Sequence, residues 1–319
     1  MKLRLFQLLL ITFIVSSGFI GPYSSFINIQ LNPVSQIINI EKGSSNLQIL
    51  KQVKSNFNAL ELFYIKLFLL LNNSVYQSGE YQVLNKSIIN LHNQLIAGDT
   101  VTHELLIIPG MNKYDINKAI NDSYLINDCI NLSCTNNLYG YKEGMILPDT
   151  YFYKKDMKAS TLLKKSSDNL VKFVELVWLK KSNNNPMSSV KDTLILASII
   201  EKEAGNDDEK KQIASVFLSR LQLGMKLQAD PTIIYGLMPD FNGDITRANL
   251  KDKNNLYNTY TIKSLPPSPI AVSSKSSIEA AVLSEPGAFL YFVANKKGSH
   301  YFSKTYKEHL EAVKLYQLK

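Results

Sequence analysis

Two glutamates, Glu201 and Glu203, close a run of residues whose apolar members recur with helical spacing. When successive residues are stepped by about 100°, Ile195, Leu196, Ile199 and Ile200 form one stripe. Glu203 falls near the centre of that stripe and Glu201 on the opposite side. A Glu-Lys-Glu run is ordinarily a solvated helix face, but here the phase aims one carboxyl at packed or cleft surface. Glu203 also lies in the last turn, where unpaired carbonyl ends disfavour negative charge. Burial and that position both push a carboxyl pKa upward. A carboxyl still protonated near neutral pH is a general acid, a role typically worth about 10²- to 10⁴-fold in rate. The competing reading is a half-buried carboxylate paired with a basic neighbour, Arg220 or Lys226.

Downstream, residues 227–236 and 257–262 gather amides, hydroxyls and aromatic rings. Gln228, Asp230, Tyr235, Asn258 and Tyr260 are the candidate ligand-binding residues, with Glu201 added from the Glu-Lys-Glu run. Such a mixture suits sugars, whose rings present apolar faces and hydroxyl edges. Leu265-Pro-Pro-Ser-Pro-Ile270 would form a stiff wall beside them. Taken singly, each of these residues is equally at home in a turn or a core.

These residues need a scaffold. The pattern predicts a helix over residues 191–204 with Gly205 as its C-terminal cap, and a second helix from near Asp207 to Gly224 with Ile213, Phe217 and Leu221 on one face. Residues 290–294 and 300–302 flank Asn295-Lys-Lys-Gly298, a β-hairpin signal. Residues 182–186, Ser-Asn-Asn-Asn-Pro, read as a linker, so the catalytic core is expected over 187–319, preceded by a connecting helical and loop region over 109–186. That region opens after a strand over 105–108 that Pro109-Gly110 stops, and it holds a helix over 161–181. Residues 37–108 read as a small α/β module in which 60–71 is a buried core helix and 88–96 a helix ending at Gly98.

Lys2 and Arg4 precede an apolar run over residues 5–20, with no further charge until Glu41. This segment is expected to enter a membrane with its basic flank on the cytoplasmic side, placing the rest of the chain outside. An uncleaved anchor over 1–22 and a signal peptide cut near Ser17 both fit the pattern. The composition, 45% hydrophobic and 19% charged over 319 residues, supports a folded core, and the net charge of +8 favours acidic partners. The lysines are scattered and no nucleic-acid motif is present, so nucleic acid is not an expected partner. Cys129 and Cys134 are spaced for a small disulfide ring, and two free thiols fit equally well. His92, His103, His300 and His309 form no short ligand motif, so neither a metal nor another cofactor is expected.

At Leu196-Ala-Ser-Ile-Ile-Glu-Lys-Glu203, Ile213-Ala-Ser-Val-Phe-Leu-Ser-Arg-Leu221, residues 227–236, 257–262 and 265–270, the chain closely resembles the YceG-like family of endolytic peptidoglycan transglycosylases. Several segments in the same order over about 75 residues are more specific than any one. Weaker resemblance runs through Leu147-Pro-Asp-Thr150 back to about Ile37; where the family usually reads Ile-Pro-Glu-Gly, this chain has Ile108-Pro-Gly-Met111. The resemblance implies an α+β fold with an uncleaved single-pass transmembrane helix at the N-terminus, a LysM-like subdomain over 37–108 and a mixed α/β catalytic domain. It implies Glu203 as the catalytic residue, the one that helical phase selects independently. It further implies a lytic transglycosylase of the cell (inner) membrane that acts on peptidoglycan glycan strands, with peptidoglycan synthases as candidate partners. A lysozyme-type hydrolase, which would need a second carboxylate such as Asp230, and a membrane-tethered glycan-binding scaffold are the alternatives.

Overall fold

The computed structural model describes residues 12–13, 16–31, 33, 35–296 and 298–317. Most of the expected membrane segment lies outside the described residues, and among those described no helix is long and apolar enough to cross a membrane. The architecture is mixed α+β, with twelve α-helices and three two-stranded sheets among the described residues. The chain divides into two units, residues 1–103 with 153–155, and residues 104–152 with 156–319.

In the first unit, a π-helical turn Ser16–Ile20 leads into α1 (Gly21–Asn28). Strand β1 (Ile37–Ile40) alternates exposed and buried residues, as a half-buried strand must. It pairs antiparallel with β2 (Gly79–Gln82), Ile38 opposite Tyr81. Between them run α2 (Asn46–Val53) and α3 (Ala59–Leu71), each opened by a reciprocal capping box, Ser45 with Gln48 and Asn58 with Glu61. α4 (Ile88–Ala97) follows and ends at Gly98, whose φ of +67° is the left-handed conformation that glycine adopts at a helix terminus. Ile49, Leu50, Ile65, Phe68, Tyr81, Leu91 and Leu95 fill this core. The expectation of a buried helix over 60–71 needs correction. α3 buries Tyr64, Ile65 and Phe68, whereas Leu60, Phe63, Leu70 and Leu71 are exposed.

The second unit is organised around one helix. β3 (His103–Ile107) pairs with β4 (Asp149–Tyr153), and α5 (Lys113–Asn121) and α6 (Ala159–Trp178) lie near them in sequence. α7 (Val190–Glu203) buries every residue from Thr193 to Ile200, because α6, α8 (Lys210–Gln222), α9 (Asp230–Leu237) and α11 (Lys275–Leu283) all pack against it. A helix apolar on all sides is stable only in such surroundings. The short helix α10 (Arg247–Lys251) intervenes. The chain closes with the hairpin β5 (Tyr291–Ala294) and β6 (His300–Ser303), Phe292 opposite Phe302, covered by α12 (Tyr306–Tyr316).

Two local expectations change, and one open alternative is decided. Residues 182–186 are no loose linker, because Asn185 is buried and its Nδ2 donates to the carbonyls of Ala281, Val282 and Ser284, closing the C-terminus of α11. Most of the segment 109–186 lies in the second unit, and α6 shares a core with α7. Gly205 does not cap α7. Ala204 ends that helix in extended conformation, and Gly205 serves close approach instead, since a Cβ there would meet the Gly298 carbonyl oxygen at 3.1 Å. Cys129 and Cys134 are joined, with Cα atoms 5.1 Å apart, around a 3₁₀ turn, Ile130–Leu132.

Candidate active site

Glu203 is the last residue of α7 and forms part of the wall of a cleft of about 430 Å³ in the second unit. The same cleft takes Arg220 from the last turn of α8, Gln228 and Asp230 from the start of α9, and Tyr260 from the following loop. Tyr291 and Phe292 of β5, His300 of β6, and Tyr306 and His309 of α12 also line it. Sequence-distant segments thus meet at one place because α7, α8 and the hairpin share a core, with Phe217 edge-on to Phe292 at 5.7 Å.

The two carboxyls sit at opposite helix poles. Glu203 lies where α7 exposes its carbonyl ends, whereas Asp230 opens α9, where free N–H groups favour negative charge. The Glu203 carboxyl is pushed up to about 7, first by burial and then by the Asp230 charge, with Arg220 opposing both. Asp230 is exposed, and the Tyr260 hydroxyl donates to its Oδ1 at 2.6 Å. That hydroxyl is itself held well above the usual tyrosine value by burial and by Asp230.

Arg220 is buried, yet it forms no ion pair with Glu203. Its Nε donates to the Leu290 carbonyl at 2.7 Å and its Nη1 to the Leu227 carbonyl at 2.6 Å, and the guanidinium lies 5.4 Å from the Tyr291 ring centroid. The plane is locked by backbone, so the cation acts on the cleft at a fixed position. His309 also stacks with Tyr291, ring centroids 5.3 Å apart. Burial and then Arg220 hold this imidazole below its ordinary pKa, and its buried Nδ1 has no hydrogen-bond partner among the described residues. Gln228 adopts φ +50°, uncommon for a non-glycine residue, with its N–H bound to the Thr259 carbonyl.

The structure therefore brings Glu203, Gln228, Asp230 and Tyr260 together. It does not bring Tyr235, Asn258 or Glu201 to the cleft. Tyr235 is buried and donates its hydroxyl to Glu143 Oε2 at 2.8 Å. Asn258 is wholly buried, its Nδ2 bound to the carbonyls of Asn249, Leu250 and Asp252. Glu201 faces α11, where it accepts from Ser274 N at 2.8 Å and from Ser277 Oγ at 2.7 Å and pairs with buried Lys210 at 3.3 Å. Sequence reasoning missed Tyr291, Tyr306 and His309 as wall residues, and it missed Glu143, a buried carboxyl raised by burial and held by Tyr235 and the N–H groups of Lys113 and Gly144. Among the described residues no group of three or more His, Cys, Asp or Glu side chains is arranged to hold a metal ion.

The model of the YceG-like family matches residues 38–315. The chain belongs to the YceG-like family. Among proteins that this YceG-like chain resembles is the endolytic murein transglycosylase of Bacillus subtilis, 36% identical over 177 residues, which are 54% of this chain and 48% of that one. The endolytic murein transglycosylase of Streptococcus pneumoniae is 28% identical over 172 residues, 52% of this chain and 31% of that one. The match thus spans less than half the length of either relative. A crystal structure of a yceG-like protein from Listeria monocytogenes superposes with a TM-score of 0.55 at 29% identity, covering 86% of this chain and 97% of that one.

Proposed function

We propose that this YceG-like protein is an endolytic peptidoglycan lytic transglycosylase, cleaving the MurNAc-β-1,4-GlcNAc bond of nascent strands without water and terminating their elongation. The observation that carries the reading is Glu203, a carboxyl held near neutrality in a cleft whose aromatic walls suit sugar rings. The protonated carboxyl gives its proton to the bridging oxygen as the C1–O bond breaks. The muramoyl C6 hydroxyl oxygen then bonds to C1, and its proton passes to the Glu203 carboxylate. The acid is regenerated, no water is consumed, and the product ends in 1,6-anhydroMurNAc. Arg220 and Asp230 act on the same carboxyl with opposite sign, which keeps both of its protonation states accessible near pH 7. In this reading Gln228, Asp230 and Tyr260, which line the same cleft, hold sugar hydroxyls and amides.

The β-α-α-β order of the first unit, with its two strands antiparallel, supports a LysM-like reading of residues 37–108. The basic-then-apolar N-terminus supports a single-pass anchor in the cell membrane, N-terminus inside and cleft outside, which would set the protein beside peptidoglycan synthases. A hydrolytic reading has one specific observation in its favour, the presence of Asp230 as a second carboxyl in the same cleft.

Mass spectrometry of products from uncrosslinked glycan separates the two. Fragments lighter by one water than hydrolysis products, absent with Glu203→Gln, are the expected result. Reducing ends of full mass would replace transglycosylation by hydrolysis, and intact glycan with the native protein would sink both.

A further inference from the structure

Helix α3 carries two apolar stripes, and only one of them is used by the core. Tyr64, Ile65 and Phe68 face inward and are buried. On the other side Leu60, Phe63, Leu70 and Leu71 are 58%, 52%, 77% and 66% exposed. Their spacing of three, seven and one residues keeps them on one face of a helix. The inner stripe and the Asn58–Glu61 capping box suffice to form the helix, so the outer stripe is not explained by folding. Scattered surface leucines need no explanation, but a continuous stripe of large side chains does.

The neighbour of this stripe says what covers it. Phe19 lies at the end of the apolar N-terminal run, and its ring packs edge-on against Phe63 at 6.2 Å and against Tyr64 at 5.9 Å. The outer stripe of α3 therefore begins where the candidate membrane segment ends. Ile20, the next residue, is itself 56% exposed. At thirteen residues α3 is about 20 Å long, too short to span a bilayer. Its exposed Lys66, on a long flexible stem, can reach a headgroup phosphate while the stripe stays in the acyl region. Apolar face, aromatic rings and a basic side chain together are the pattern of a helix lying in the membrane interface.

We infer that the outer face of α3 lies in the outer-leaflet interface of an anionic phospholipid bilayer, as a second membrane contact beside the N-terminal segment. The inference rests on the membrane-anchor reading proposed above. It holds the first unit flat against lipid through Leu60, Phe63, Leu70 and Leu71, in place of a unit swinging on a single tether.

The test uses the full chain in phosphatidylethanolamine–phosphatidylglycerol vesicles containing lipid brominated high on the acyl chains. Trp178 is the single tryptophan and serves as the internal reference in the native chain. Phe63→Trp and, separately, Leu70→Trp are each made with Trp178→Phe. Tryptophan emission at both new positions is expected to fall roughly twofold with brominated lipid, and that of native Trp178 to stay nearly unchanged. Chains that co-sediment with vesicles but show no quenching at either position overturn the inference and leave the anchor intact. Unquenched probes together with chains that cross-link through residue 63 assign the stripe to a second copy and overturn it as well. Failure to co-sediment removes both the anchor and the second contact, while product formation from soluble glycan judges the transglycosylase reading separately.

Discussion

Glu201 and Glu203 are separated by one lysine, and their surroundings set them to different tasks. Glu201 is surrounded by donors and stays a structural acceptor, whereas Glu203 faces a cleft with an anion beside it. The folded pKa of Glu203 lies above its unfolded value, so folding is favoured fully below about pH 4.5 and loses that advantage as pH rises through about 7. A rise of that size corresponds to about 3 kcal/mol. Glu203→Gln is therefore expected to raise the unfolding free energy at pH 8 by about that amount and to leave it unchanged near pH 4, which denaturant titration at the two pH values would check. Activity should fall as pH rises through about 7, because the protonated acid is lost. Asp230 raises the Glu203 pKa, so Asp230→Asn should move that falling limb to lower pH; a limb that does not move would sever the coupling. The inward placement of Glu203 was legible because helical phase is written in residue spacing, although α7 proves buried on all sides from Thr193 to Ile200. The inward fates of Tyr235 and Asn258 were not, since a polar aromatic or amide near a motif has the same signature whether it meets ligand or backbone.

At the scale of elements, the site depends on caps that join segments far apart in sequence. Glu201 on α7 accepts from the N–H of Ser274, the N-cap of α11, and from the Ser277 hydroxyl, and neutralises Lys210 on α8, while Asn185 closes the other end of α11. Glu201→Ala leaves a buried lysine with only the exposed Asp207 as an acidic partner, and is expected to cost about 3 kcal/mol in thermal or denaturant unfolding. The falling limb of the pH profile should stay where it is, because Glu201 does not share the cleft. The helix pair and the hairpin turn were legible from apolar periodicity and from Asn295-Lys-Lys-Gly298. That the hairpin and α12 form a wall of the cleft was not, because it depends on Phe292 meeting Phe217 across 75 residues, a contact no local pattern encodes. Asn185 misled for a related reason: an asparagine-rich stretch before proline favours a loop, and nothing nearby in sequence announces the three carbonyls that tie it down.

For the whole molecule, the net charge of +8 acts at a range the cleft does not. Association with anionic wall polymer or vesicles should weaken as salt rises, since screening shortens from about 10 Å at 0.1 M to about 3 Å at 1 M. Sedimentation with insoluble wall material across that range would measure it, and a salt-independent bound fraction would assign binding to the cleft alone. The family was legible from five ordered segments; the chain divides after His103, close to the expected end of the 37–108 module, and residues 182–186, read as a linker from their composition, lie within the second unit. Residues 153–155 return to the first unit from within the span of the second, so the polypeptide passes between the units three times. Only the crossing after His103 joins residues 1–103 covalently to the remainder, whereas the other two lead to a three-residue segment held to the first unit by contacts such as the Lys155–Glu80 ion pair at 3.0 Å. A protease nick after His103 would therefore leave residues 1–103 held to the remainder by non-covalent contacts alone, whereas a nick at either later crossing would leave the 103–104 bond intact.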